Sequence, residues 1–296
     1  MGLLERIYFN IGARVRQERR KKSKKAGEKM KEQAFLQEVK EIQLLREALG
    51  LLDWDTQTGM PEKSSAYRSE VVSYLSGLAF ERKIGPKIQE ALSYFKDNQA
   101  ELSDLGKMVY EKVEEEYLLN KKIPTDQMEA YMKVLSQAHT NWVQARETKD
   151  FNDMKPSIQQ IIGYLKAFIP CWQKDEKTPY DVLLTQYEPG MTVEKLDKLF
   201  AELKEGIISI RKAIESQGVK PRTDFLSRKM TKEQQRRFVV GVVEQLGYDF
   251  SRGRLDDTVH PFMLDLNRND ARITTRWEEN NFSMAVFGVI HEAGHG

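Results

Sequence analysis

The stretch Asp256–Gly296, DDTVHPFMLDLNRNDARITTRWEENNFSMAVFGVIHEAGHG, decides how the chain is read. From about Asn281 or Ser283, both acceptable caps, Met284, Val286, Phe287 and Ile290 follow at helical spacing. That predicts a final helix carrying His291-Glu292-Ala293-Gly294-His295. Positions i and i+4 share a helix face, so His291 and His295 aim two imidazoles at one point, the spacing of paired metal ligands. Glu292 stands beside them, where a carboxylate can accept a proton from metal-activated water. Just upstream, Leu255 to Trp277 does not read as helix. Its β-branched Ile273-Thr274-Thr275 predicts one or two short strands.

Outward from this stretch, toward the N-terminus, helical periodicity dominates. Phe35, Ile42, Leu45, Leu49 and Leu52 line an amphipathic stripe that ends near residue 52, before a turn marked by Gly59 and Pro61. In that turn Trp54 reads as core and Asp55 as a cap, with a cleft-lining role as the alternative. Further helices are expected at about 65–82, 86–95, 103–120 and 126–148, the last with Thr125 as N-cap. Tyr131, Leu135, Ala138, Trp142 and Ala145 share a face of that helix, and His139 on it is given no role. Pro156 starts another helix that Pro170 kinks or ends, and Thr178-Pro179 starts the next. Thr192 opens a helix to about 217, and Thr231 with Gln234 forms a capping box before a helix that stops at Gly247. The expected fold is therefore mainly α, with at most one or two short strands before the terminal helix.

Composition bounds the function classes. The 296 residues are 40% hydrophobic and 31% charged, enough for one large core or two smaller ones with long solvated faces. The single cysteine, Cys171, excludes an internal disulfide and suits a reducing cytoplasm. The net charge of +2 is divided: residues 1–33 hold eleven Lys or Arg against four Glu, and the remainder holds 36 basic against 41 acidic residues. Leu3, Leu4, Ile7, Phe9 and Ile11 are too few for a membrane span of roughly 18 or more residues, and no secretory signal is expected. Residues 1–33 read as a basic, mobile or helical extension, and neither a nucleic-acid nor a membrane partner is expected of the chain. A surface binder acting through that arm is the least favoured reading. No repeat period and no nucleotide-binding glycine loop are present.

Three neighbours give the terminal motif its meaning. His260-Pro261-Phe262, Asp270-x-Arg272-x-Thr274 and the HExxH follow one another in this order. Upstream stand Trp54-Asp55-x-x-Thr58-x-Met60-Pro61, Trp142-x-x-Ala145-Arg146-Glu147, Tyr187-Glu188-Pro189-Gly190-Met191-Thr192 and Gly253-Arg254-Leu255-Asp256. Together they resemble the Taq-type zinc metallocarboxypeptidases, a largely helical family, over residues 34–296, which would be the N-terminal part of such a domain.

The resemblance implies a cytoplasmic, homodimeric zinc hydrolase, with cobalt as the alternative metal, that removes C-terminal residues from peptides with a free C-terminus. His291 and His295 would be metal ligands, Glu292 the catalytic base, and His260, Asp270, Arg272 and Thr274 would border the substrate cleft. From the residues alone, Asp270 and Arg272 equally read as an ion pair holding the loop. The family's third ligand, a glutamate from a later helix, and the basic residue that grips the substrate carboxylate have no place before Gly296. The chain is accordingly expected to be truncated. The rival expectation is a non-catalytic fragment, or one half of a split enzyme. A loss of later helices would also expose the apolar side of the terminal helix.

Overall fold

The computed structural model describes residues 26–296, with side chains from residue 31 onward, so the basic arm before residue 26 lies outside the described residues. Helix α1 (Ala26–Thr58) crosses the boundary read at 33/34 without interruption. It buries Phe35, Leu36, Val39 and Ile42 against Ile88, Leu92 and Phe95 of α3 (Pro86–Asp97) and Val109, Tyr110 and Val113 of α4 (Asp104–Asn120). Each such side chain removed from water contributes about 1.5–3 kcal/mol. A second cluster joins α2 (Ser65–Ile84), α5 (Thr125–Thr148) and α6 (Lys155–Trp172) through Phe80, Ile123 and Phe168.

Side-chain caps mark where four of the helices begin. The Ser103 hydroxyl accepts from the Gly106 N–H ahead of α4. Thr178 and Asp181 cap α7 (Pro179–Thr185) reciprocally, Thr192 caps α8 (Val193–Ser216), and Thr231 with Gln234 caps α9 (Lys232–Gln245). Asp181, 2% exposed, also accepts from the Val193 N–H at 2.7 Å and so ties α7 to the start of α8. After α9, Gly247 adopts φ 100°, where a side chain would be strained.

Three expectations are corrected. Helix α1 runs six residues beyond 52, because the Asp55 carbonyl accepts from the N–H groups of Gly59 and Met60 and closes the last turn there. The Asp55 carboxylate does not cap that turn; it pairs with Arg68 at 2.6 Å. Thr125 is already helical and makes no side-chain cap, Pro124 standing at the cap position instead.

The chain is mainly α, as expected, yet its sheet has three strands where one or two were expected. Strands β1 (Leu255–Asp257), β2 (Met263–Asn267) and β3 (Asp270–Thr275) lie in the order β1-β3-β2. β2 and β3 form an antiparallel hairpin, and β1 adds in parallel, pairing Leu255 with Ile273 and Asp257 with Thr275. A three-residue Leu-Asp-Asp strand carries no local signal; it becomes extended because β3 presents a free edge to it. Among the described residues no helix is long and apolar enough to cross a membrane.

Candidate functional site

The last helix, α10 (Phe282–His295), is held by its inner face. Ala285 and Val289 are fully buried, and Val289 packs with Val239 and Val243 of α9, Leu255 of β1 and Ile273 of β3. Burial of this face leaves His291 and His295 on the exposed side, while Glu292, one residue on, is buried. The two Nε2 atoms stand 3.3 Å apart, and the rings meet edge to face with centroids 4.8 Å apart. Two nitrogen ligands about 2.0–2.1 Å from one tetrahedral metal are separated by about 3.3–3.4 Å. The spacing therefore fits a shared metal ion, and imidazole is a donor suited to zinc or cobalt. Among the described residues no set of three His, Cys, Asp or Glu side chains converges on one point.

The other motifs surround this helix. A Cβ at Gly288 would lie 3.8 Å from both Pro261 Cγ and Thr275 Oγ1, so the His260-Pro261-Phe262 segment packs on α10 one turn before His291. His260 is exposed, and its ring meets Trp142 edge to face at 6.3 Å. Trp142 in turn has the Arg146 guanidinium 5.3 Å from its ring centre.

Asp270 and Arg272 form a two-pronged ion pair, Nε to Oδ1 and Nη2 to Oδ2, each 2.7 Å. Donating these hydrogen bonds to Asp270 raises the Arg272 pKa. Arg272 also lies 5.6 Å from the Trp54 ring. Thr274 is different. It is fully buried, donating to the Phe262 carbonyl at 2.9 Å and accepting from the Phe262 N–H at 2.8 Å. Its hydroxyl is consumed in fastening the His260 segment to β3, so it reaches the cleft only through that segment.

Trp54 is the side chain that joins the first helix to the motif strands. It donates to Asp256 Oδ2 at 3.1 Å and sets its ring 5.4 Å from Phe262. Asp256 is also gripped by Arg254 at 2.6 Å, and the Thr258 hydroxyl donates to the Gln57 carbonyl. Gly253 is required by close approach: a Cβ there would stand 2.2 Å from the Tyr248 hydroxyl and 2.3 Å from the Ala271 carbonyl. That phenol, its pKa pushed up to about 12 chiefly by burial, donates to Ala271 O at 2.6 Å. The Asp257 carboxyl is pushed up by burial, but hydrogen bonds from Lys232 and the Trp277 indole outweigh this and hold it below its usual range. His139, given no role in the sequence, lies 5.6 Å from Trp142. Nothing in a lone helical histidine signals that placement.

Residues 34–296 match the family described as carboxypeptidase Taq (M32) metallopeptidase. Carboxypeptidase 1 of Bacillus subtilis (strain 168) is 41% identical over 264 residues, which are 89% of this chain and 52% of that protein. Thermostable carboxypeptidase 1 of Thermus thermophilus is 33% identical over 274 residues, 89% of this chain and 54% of its own. The crystal structure of BsuCP superposes with a TM-score of 0.87 at 41% identity, covering 90% of this chain and 53% of that one. Trypanosoma cruzi metallocarboxypeptidase 1 superposes at 0.73 with 26% identity, covering 92% and 54%. The chain spans about half the length of the curated relatives it matches.

Proposed function

The chain belongs to the carboxypeptidase Taq (M32) metallopeptidase family, and from that premise we propose that it is the part of a metallocarboxypeptidase that presents two metal ligands and the catalytic base. The observation that carries this reading is the 3.3 Å separation of His291 and His295 Nε2 on the exposed side of α10. In the proposal these nitrogens hold zinc, with cobalt as the alternative, and a carboxylate from polypeptide outside these 296 residues completes the set. When bound, such an ion supplies Lewis-acid polarisation of a carbonyl and acidifies water.

The chain's own residues do the rest. The Glu292 carboxylate takes a proton from the attacking water and returns it to the leaving amine. His260, exposed beside α10, donates to a substrate carbonyl. Arg272 keeps its charge paired with Asp270, so it shapes the cleft wall, and the group that grips the substrate's terminal carboxylate lies elsewhere. Substrates are peptides with a free C-terminus. The protein works as a homodimer in the cytoplasm, a compartment consistent with Cys171, which is free of any disulfide.

The test joins the chain to the half of the Bacillus subtilis carboxypeptidase that it does not span. The joined protein should release C-terminal amino acids when zinc is added. Glu292→Gln should keep the metal and lose release by at least about 100-fold. Release that survives Glu292→Gln would refute the assignment of the base.

A further inference from the structure

A largely apolar cavity with a few polar groups lies between α1, α2 and α5, and neither His291 nor His295 lines it. It encloses about 340 Å³. Its lining mixes Leu49 and Leu135 with Asp53, Ser76, Ser136 and His139. His139 touches Trp142 and Trp142 touches His260, with ring centres 5.6 Å and 6.3 Å apart.

The polar groups of this cavity are incompletely used. Asp53 lines the cavity and accepts from Gln57 Nε2 at 2.9 Å through Oδ2 only. Ser76, 7% exposed, has a buried hydroxyl with no hydrogen-bond partner. Crowding by protein raises the Asp53 pKa and lowers that of His139, so the site disfavours an unbalanced negative charge and an additional positive ring. The Arg68 guanidinium is committed to Asp55 at 2.6 Å and to the Leu52 carbonyl at 3.0 Å.

These features select a ligand class. An anion would meet the Asp53 carboxylate, and burial disfavours a charge on the facing His139. A metal ion would lack further ligands, since no His, Cys, Asp or Glu cluster forms among the described residues. A wholly polar solute would leave the leucine walls in contact with water. We propose that the cavity binds a primary ammonium group carried on a short aliphatic chain. The ammonium pairs with Asp53 Oδ1 and donates to the serine hydroxyls, while the alkyl part lies between Leu49 and Leu135. The chemistry is shared by small alkylamines and by the amino terminus of a peptide.

The experiment uses the whole chain at pH 8, where an alkylamine stays protonated. n-Butylammonium chloride is titrated calorimetrically, with n-butanol as the uncharged control of like shape. Saturable binding is expected for the ammonium, with n-butanol and the Asp53→Asn variant each at least about tenfold weaker. Circular dichroism checks that this near-isosteric variant is folded. No saturation, or equal binding by n-butanol or by Asp53→Asn, overturns the proposal.

A dipeptide amide with a free amino terminus and its N-acetyl form are then used as competitors. Displacement by the free form alone makes a peptide amino terminus the occupant, and displacement by neither assigns the site to small alkylamines. Displacement by the acetylated form overturns the need for a charge. None of these readouts involves metal or peptide release, so the outcome is independent of the proposed activity.

Discussion

Two long amphipathic helices of this molecule have opposite fates. In α1, Phe35, Leu36, Val39 and Ile42 are at most 7% exposed, locked against α3 and α4. In α8, none of the residues is buried, and Leu203, Ile207 and Ile210 are 51%, 55% and 63% exposed at helical spacing. Among the described residues only the first stripe has a packed partner. Isolated helices draw most of their stability in proteins from a packed apolar face, so α8 is the element whose own energetics are incomplete.

The contrast can be broken most directly by truncating one side chain in each region. Phe95→Ala, in the middle of the α1 cluster and 0% exposed, should cost about 3–5 kcal/mol in urea denaturation. Ile207→Ala on α8 should change stability by no more than about 0.5 kcal/mol. Equal effects would mean that α8 has a packed partner after all.

A smaller effect is expected on association. Replacing Leu203, Ile207 and Ile210 by Glu should weaken self-association of the chain by about tenfold or more in sedimentation velocity. An unchanged association constant would show that some other surface holds the copies together. Trp54→Phe sharpens the other side of the comparison. It keeps the ring against Phe262 but removes the donor to Asp256, and should lower stability by about 1 kcal/mol.

The smallest effect is one of pH. The Asp249 carboxyl is held down at about 2, first by the Ser251 hydroxyl, then by the Ser251 N–H and Arg252. A depressed folded pKa stabilises above the unfolded value and is lost as pH falls through the folded one. The contribution is therefore complete above about pH 4 and vanishes toward pH 2. Asp249→Asn should flatten the stability profile in that window, lower stability at neutral pH and leave it unchanged below about pH 2.

What could be read from the letters follows from the range of the interactions. Capping residues act within three positions, so Ser103, Thr178, Thr192 and Thr231 announced their helices. The His291/His295 spacing is equally local. The true end of α1 was missed because the apolar stripe fades at Leu52 while Trp54 still belongs to the helix and finds its partner at Asp256. Strand β1 was missed because its pairing with β3 is made across eighteen positions of sequence, from Leu255 to Ile273. Thr274 looked like a cleft residue, and only the fold reveals that both functions of its hydroxyl are spent on Phe262. The exposed apolar surface anticipated for the terminal helix is present at Met284 and Phe287, 47% and 69% exposed. The larger one lies on α8, which amphipathic pattern alone could not distinguish from a buried helix.

One proposal remains central: the histidine pair is part of a metal centre that the unspanned half of the relatives would complete. Zinc affinity, measured by competition with a chromophoric chelator for the chain alone and for the chain joined to the unspanned half of its Bacillus subtilis relative, tests it most directly. The joined protein should bind one zinc at least about tenfold more tightly than the chain alone, and lose that gain in His291→Ala and in His295→Ala. Equal affinity with and without the added half, or zinc binding untouched by either substitution, would contradict it.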